Sequence, residues 1–372
     1  MTDSVTPPPS VLIVSYGLIA GGGETFPIHL ANALRTRGWP VAFLDFGKEA
    51  PQMGVRNMLE RNVPLYHLQD DVNIGRLCQE LAIDVVHSCH TTCDLLIAKS
   101  LQRLPSYRRP KHLVTLHGGY ETMTLRDLLT SLAVLEDVDQ FTYSASKNLD
   151  SFPKRFLAEK RFTPIDNALP QPSAAPAGRS RADLGISDEA LIAILISRAI
   201  PGKGWDLARI AVESVRAKSG RDVQLIIIGD GPVYDEMIKA SSPDWLHLLG
   251  FQADIRSWIS IADVALLPSS FSGESFPLVL IDYLTMGIPA ITSDVGEIPR
   301  MLKSSLGVAG YVIETRAGGI SESRLASRLA TFASLDNHER DLFRARALSA
   351  SEKFDFDHML RAFERVYETL AP

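Results

Sequence analysis

Two carboxylates, Glu274 and Asp282, stand eight residues apart in GESFPLVLIDYLTMG, and two cations, Arg198 and Lys203, stand five apart in SRAIPGKGW. Between the acids, Pro277 sits in the first turn of an apolar run and Gly287 follows it, which reads as a helix closed by a left-handed C-terminal cap. At a rise of about 1.5 Å per residue the acids are ~12 Å apart. A glycosidase pair needs its carboxyl groups roughly 5 to 9.5 Å apart, so these are spaced to hold two ends of one extended ligand. The helix start between them leaves N–H groups at Phe276, Leu278 and Val279 free, which suits a phosphate. Acid, phosphate cradle, acid is the outline of a nucleoside diphosphate sugar: sugar hydroxyls at Glu274, diphosphate on the helix end, ribose hydroxyls at Asp282. An ordinary amphipathic helix with both acids solvated is the plainer alternative. Arg198 and Lys203 leave an apolar run on a glycine-containing loop, where two cations can converge on one diphosphate; two chance basic residues on a surface loop would look the same.

These residues need a frame, and the chain supplies an alternation of short apolar runs and helical periodicity. In the first half, strands are expected at 11–15, 41–46, 84–88, 113–116 and 141–144, with a helix at 26–37 ended by Gly38 and Ile165 to Asn167 closing the half. In the second half, strands are expected at 191–197, 223–228, 246–250, 264–267 and 288–292, followed from Ser321 by helices, the last at 354–370. Strands alternating with helices form a parallel sheet, whose ligands collect beyond the carboxyl ends of the strands. The Pro-, Ala- and Ser-rich PQPSAAPAGRSR that starts at Pro170 is the linker between halves. The expected division is residues 1–170 (with 1–10 as a loose tail), a linker at 171–182, a second domain at 183–353 and a final helix at 354–372.

Several strand-end groups in the first half have chemical potential. The loop 17–24 carries glycines at 17, 21, 22 and 23 but spells neither the dinucleotide fingerprint nor a phosphate-binding P-loop. Gly22 and Gly23 instead let a backbone approach a ligand or the facing domain, unless the loop is simply a flexible turn. Asp45, at the end of the second strand, is the one feature a dehydrogenase could use. His87, Cys89, His90 and Cys93 resemble metal ligands, yet no second Cys/His cluster accompanies them, and polar residues lining a cleft explain them better. His117, backed by two glycines in HGGY, can meet a ligand closely; a satisfied or capping histidine is the alternative. The run FPKRFLAEKRF, from Phe152 to Phe162, interleaves basic and aromatic residues and could touch an anionic membrane surface or an acidic acceptor, or be a solvated helix face. In the second half, Gly231 in GDGP and Phe251 after LLG mark tight turns at strand ends.

The chain has 372 residues, enough for two domains, with 45% hydrophobic residues and a net charge of -6, so a general affinity for nucleic acid is not indicated. Three cysteines, an opening MTDSVTPPPS without a signal pattern, and no apolar run near the ~20 residues that cross a bilayer point to a cytoplasmic protein.

Taken together, SRAIPGKGWD, GDGP, LLGF and ESFPLVLID in this order resemble the second domain of the retaining glycosyltransferases of family 4, and GGGE after the first strand, the two strand-end histidines and the final helix match that family's layout. The resemblance implies an α/β architecture of two Rossmann-like domains facing across a cleft, the GT-B fold, with the C-terminal helix packing back on the first domain. By the same resemblance, Glu274 contacts the donor sugar, Asp282 the ribose, Arg198 and Lys203 the leaving diphosphate, and His117 the donor sugar from the first domain. Gly22, Gly23, Gly231, Phe251, Phe276, Pro277 and Leu278 fall at donor-binding positions. It implies a nucleotide-sugar donor, a glycan, lipid-linked or small-molecule acceptor, no metal and no cofactor, a role in polysaccharide biosynthesis, and a cytoplasmic enzyme that can sit on the inner membrane face. Two departures stand out: Asp282 replaces the family's second glutamate, one methylene longer, and Asn167 begins NALP where the family has Asn-Gly. A catalytically inactive binding module and a sugar-nucleotide epimerase of similar architecture are the competing readings.

Overall fold

The computed structural model describes residues 7–47, 50–68, 73–171, 178–240, 242–316 and 319–371. The chain divides into two compact units, Met1–Pro170 with Asp355–Pro372, and Gln171–Phe354. The first six residues of the expected tail and residues 172–177 of the expected linker lie outside the described residues. The loose tail does not extend to Ser10, whose N–H donates to Asp84 Oδ2 at 2.8 Å and whose carbonyl accepts from Val85 N at 3.1 Å.

The first unit is built on seven strands: β1 (Val11–Ser15), β2 (Val41–Asp45), β3 (Leu65–His67), β4 (Val85–Ser88), β5 (Lys111–Leu116), β6 (Gln140–Tyr143) and β7 (Phe162–Pro164). Their order is β3-β2-β1-β4-β5-β6-β7, parallel throughout. Central strands such as VLIV at 11–14 are fully buried because helices cover both faces of a parallel sheet, which is why they read as unbroken apolar runs. β3 was not expected: its three residues, LYH, are only half-buried at a sheet edge and carry no apolar run.

The last helix, Phe356–Leu370, belongs to this first unit, as the resemblance implied. Asp355 caps it by accepting from His358 N, and Met359, Leu360, Phe363, Val366 and Tyr367 bury one continuous stripe. Arg37 pairs at 2.8 Å with both Asp357 and Glu364 of this helix.

The stretch from Phe152 to Phe162 differs from its expected form. Only Lys154–Glu159 is helical, and Phe162 opens β7. Phe152 and Phe156 are buried and stack on each other, and they pack tilted or edge-on against Phe141 and Phe162, which stack at 4.8 Å between centroids. The aromatic residues that would enter a membrane are therefore committed to the core, and the exposed Arg155 is tied to Glu159 at 2.7 Å.

The second unit carries β8 (Leu191–Ile196), β9 (Val223–Ile228), β10 (Leu246–Leu248), β11 (Val264–Leu267) and β12 (Ala290–Ser293), a small antiparallel ribbon of β13 (Lys303–Ser304) and β14 (Gly307–Val308), and β15 (Gly310–Ile313). The main sheet runs β10-β9-β8-β11-β12-β15, again parallel. β15, in a segment with no expected strand, pairs closely with β12 because Gly310, at φ 140°, has no Cβ to strike the Ala290 carbonyl. In each sheet the winding reverses direction between two central strands, β1 and β4 in the first and β8 and β11 in the second. Such a switch point is where ligands bind in open parallel sheets.

Candidate functional site

In the second unit, the loops that leave β8 and β11 carry the singled-out charges to this switch point. The β8 loop runs from Arg198 through Gly202 and Lys203 to Gly204, where the helix Trp205–Ser219 starts. It lies against the β11 loop: Ser270 N donates to the Gly202 carbonyl at 2.7 Å, and a Cβ on Gly204 would come within 2.6 Å of the Pro268 carbonyl oxygen. This backbone contact sets Lys203 beside Glu274. Lys203 Nζ donates to Glu274 Oε2 at 2.7 Å and also lies 4.8 Å from the centre of the Phe271 ring. Both residues are buried, at 9% and 7% relative exposure. Lys203 was expected to act with Arg198, but in the structure its partner is the acid 71 positions away. Arg198 is half-buried, and its guanidinium makes no ion pair or hydrogen bond among the described residues.

Beyond Glu274, the helix Leu278–Thr285 begins with Pro277 as its N-cap, one position earlier than the first turn the sequence suggested. Its other end is as expected: Gly287 at φ 71°, with Gly287 N to Leu284 O at 3.0 Å and Ile288 N to Tyr283 O at 2.8 Å, the paired bonds of a Schellman cap. At the start, the N–H groups of Phe276, Leu278 and Val279 have no acceptor among the described residues. Pro277 has no N–H, and the Phe276 ring packs edge-on against Phe354 at 5.8 Å, so this segment can offer a ligand backbone donors rather than side chains.

Asp282, at 8% exposure on this helix, does not stand alone. Arg256, from the helix Ile255–Ile259, donates through Nη1 to Asp282 Oδ1 at 3.2 Å. Burial pushes the Asp282 carboxyl up to about 6, a shift that the Arg256 charge and hydrogen bond partly oppose. Arg256 is the residue that sequence reasoning missed: it lies 26 positions from its partner, in a short helix with no motif to mark it. Gly231, at φ 128°, lets the GDGP turn pass within 2.9 Å of the Ala199 carbonyl oxygen, measured to where a Cβ would sit. Phe251 is half-buried just after Gly250, beyond β10.

In the first unit, Gly23 opens close to His117, a Cβ there meeting the His117 Cβ at 3.7 Å, and the Phe26 ring lies edge-on to the imidazole at 4.6 Å. Gly22 is the exposed first residue of the helix Gly22–Thr36. His117 Nε2 is buried without a partner among the described residues, and burial, with help from His90, lowers the His117 pKa to about 4. The ring is neutral at physiological pH. Tyr120, three residues on, donates to the buried Asp94 at 2.9 Å and ties down the HGGY loop.

The other first-half candidates have structural occupations. His87 is fully buried, bonded to Tyr367 Oη at 2.7 Å and Thr115 Oγ1 at 2.6 Å, and so couples β4 to β5 and to the last helix rather than lining a cleft. Cys89 and Cys93 are buried free thiols, raised in pKa chiefly by burial, and His90 caps the helix Thr91–Gln102. Among the described residues no group of three or more His, Cys, Asp or Glu could hold a metal ion. Asp45 is fully buried, accepting from Gly47 N at 2.9 Å and contacting His67 Nδ1 at 3.1 Å. Asn167 reaches Ser144 Oγ at 3.4 Å and Ala168 N contacts Met359 Sδ, so NALP is anchored within the first unit. Among the described residues no helix is long and apolar enough to cross a membrane.

Residues 191–330 match the family described as Glycosyl transferases group 1. An N-acetyl-alpha-D-glucosaminyl L-malate synthase from Bacillus anthracis is 22% identical over 93% of this chain and 93% of its own length. A D-inositol 3-phosphate glycosyltransferase from Streptomyces griseus subsp. griseus is 28% identical over 78% of this chain and 62% of the relative. Among solved structures, the pneumococcal O-GlcNAc transferase GtfA in complex with UDP and GlcNAc superposes with a TM-score of 0.76 at 12% identity, covering 98% of this chain and 99% of that one. A sucrose-phosphate synthase from Thermosynechococcus elongatus gives 0.73 at 15% identity, over 97% and 99%. The two parallel α/β domains are those of the GT-B fold. The chain is a glycosyltransferase.

Proposed function

We propose that this enzyme is a retaining, metal-independent glycosyltransferase of the family 4 type that moves a sugar from a nucleoside diphosphate sugar to an acceptor hydroxyl. The observation that carries the reading is the buried Lys203–Glu274 pair set at the switch point beside the unused N–H groups of Phe276, Leu278 and Val279. In this scheme the diphosphate lies on the helix start and draws Lys203 and Arg198, which has no partner among the described residues, while Glu274 turns one oxygen to the sugar. Preorganised donors where the leaving diphosphate gains charge can contribute roughly 3 to 4 kcal/mol to the barrier. Within the second unit, Gly231 and Phe251 serve the nucleoside and Asp282 the ribose; the sugar-side assignment of Gly22, Gly23 and the neutral His117 rests on the family resemblance alone. The acceptor is a hydroxyl of a glycan, a lipid-linked or a small molecule; the relatives named for L-malate and D-inositol 3-phosphate support a range that wide. No cofactor takes part, and the two cations supply the charge that a metal otherwise would.

A thermal-shift screen of nucleoside diphosphates and nucleotide sugars tests the donor class directly, since a ligand at about 100 times its dissociation constant stabilises by roughly 2.7 kcal/mol. Excess chelator should leave turnover largely intact; abolition by EDTA with rescue by magnesium or manganese counts against the mechanism.

The two acids should separate in titration calorimetry. Asp282→Ala is expected to weaken binding of the free nucleoside diphosphate by roughly 1.5 to 3 kcal/mol. Glu274→Gln, which spares Lys203 a bare neighbour, should affect only the sugar-bearing donor. If Asp282→Ala binds the free nucleotide as tightly as wild type, the ribose assignment is wrong.

A further inference from the structure

Arg256 is poorly satisfied for a guanidinium so enclosed. Its Nη1 reaches Asp282 Oδ1 at 3.2 Å, its Nη2 is 3.5 Å from Thr285 Oγ1, and its Nε is buried with no partner among the described residues. A buried N–H left without an acceptor is costly unless something satisfies it in use. Asp282 is the mirror case: Oδ1 is engaged by Arg256, while Oδ2 accepts nothing from the described residues and is not sealed from solvent. A group that can only donate and a group that can only accept thus sit side by side, each with spare capacity.

A cis-diol fits that pair, because each hydroxyl both donates and accepts. The carboxylate takes the hydroxyl protons, and the guanidinium gives an N–H to a hydroxyl oxygen. Resting on the donor reading above, we propose that Arg256 is a specificity-determining residue that, together with Asp282, reads the ribose 2′,3′-diol of the donor nucleotide and rejects 2′-deoxyribose. The aspartate is one methylene shorter than a glutamate, and Arg256, reaching in from the neighbouring helix, supplies the second half of the recognition. Loss of the 2′-hydroxyl then leaves polar groups on the protein unpaired, which is the condition under which sites discriminate strongly.

The measurement is the ratio of dissociation constants for a ribonucleoside diphosphate and its 2′-deoxy counterpart, taken by calorimetry across the uridine, guanosine and adenosine pairs. For the preferred base, wild type should bind the ribo form at least ~10-fold more tightly, the lower end expected for a charged hydrogen-bonding group. Arg256→Met should bring the ratio towards one, and Arg256→Lys, which keeps the charge without the planar fork, should restore it only in part. A residue that acts only by orienting Asp282 would leave the ratio of an Asp282→Ala enzyme unchanged when Arg256→Met is added, whereas a direct contact to the diol lowers that ratio further. An unchanged ratio in a folded Arg256→Met enzyme overturns the proposal and leaves the donor reading intact. If wild type binds no nucleoside diphosphate at all, the donor reading falls and this one with it. Should Arg256→Met not fold, the Arg256→Lys ratio decides: a ratio equal to wild type overturns the assignment.

Discussion

Lys203→Ala is expected to lower kcat about 100-fold or more, since the contact to the departing diphosphate strengthens as the transition state forms. The structure adds a second consequence that the loop position alone did not suggest. Lys203 and Glu274 form a buried ion pair at 2.7 Å, so removing the lysine strands a carboxylate in the interior. Breaking such a pair from one side costs about 3 to 5 kcal/mol of stability. Denaturant unfolding should therefore show Lys203→Ala destabilised by that order, and Lys203→Ala combined with Glu274→Gln should recover part of it while activity stays low. Stability returning without turnover separates the structural role of the pair from its catalytic one. An effect confined to KM would instead mean that Lys203 holds substrate and transition state equally well.

Acidification should unfold the first unit well before it affects the exposed carboxylates. Burial lowers His29, His112 and His117 to about 4 and His87 to about 3, against an ordinary value of 6.5. The sign follows from which state binds protons. Above pH 6.5 all four rings are neutral in both states and the full stability is present; as pH falls towards 4, the unfolded chain takes up protons that the folded one refuses. Asp94 opposes this: burial raises it to about 7, so the folded state holds its proton while the unfolded chain loses it above 3.8. Four protons against one leave a net uptake of roughly three on unfolding near pH 5, or on the order of 3 to 4 kcal/mol lost per pH unit from these groups. Thermal unfolding from pH 7 to 5 should show the melting temperature of the first unit dropping steeply, and His29→Gln should flatten the slope by about a third. A melting temperature constant over that range would mean that these imidazoles reach solvent.

The segment that carries the candidate site was legible because it depends on local order. Pro277 and Gly287 mark the ends of the helix that carries Asp282, while Glu274 and Phe276 precede it in the loop, so the separation of the two acids is set by that loop as well as by helix rise. Arg198 and Lys203 are likewise placed by local order, in the loop after β8. The central strands were legible too, since a strand buried on both faces must be apolar throughout. The edge strands β3 and β15 were not, because a half-buried strand of three or four residues carries no such pattern.

What tertiary structure decided was partnership. Lys203 finds Glu274 because parallel strand order places β8 beside β11 and a backbone hydrogen bond brings their loops together. Arg256 finds Asp282 through the packing of a five-residue helix, and His87 turns from an expected cleft-lining residue into a core residue once the last helix brings Tyr367 against it. Residue types and local spacing state what a side chain can do. Which charge it meets, and whether water reaches it, is set by contacts between segments far apart in the chain, and those exist only in the folded molecule.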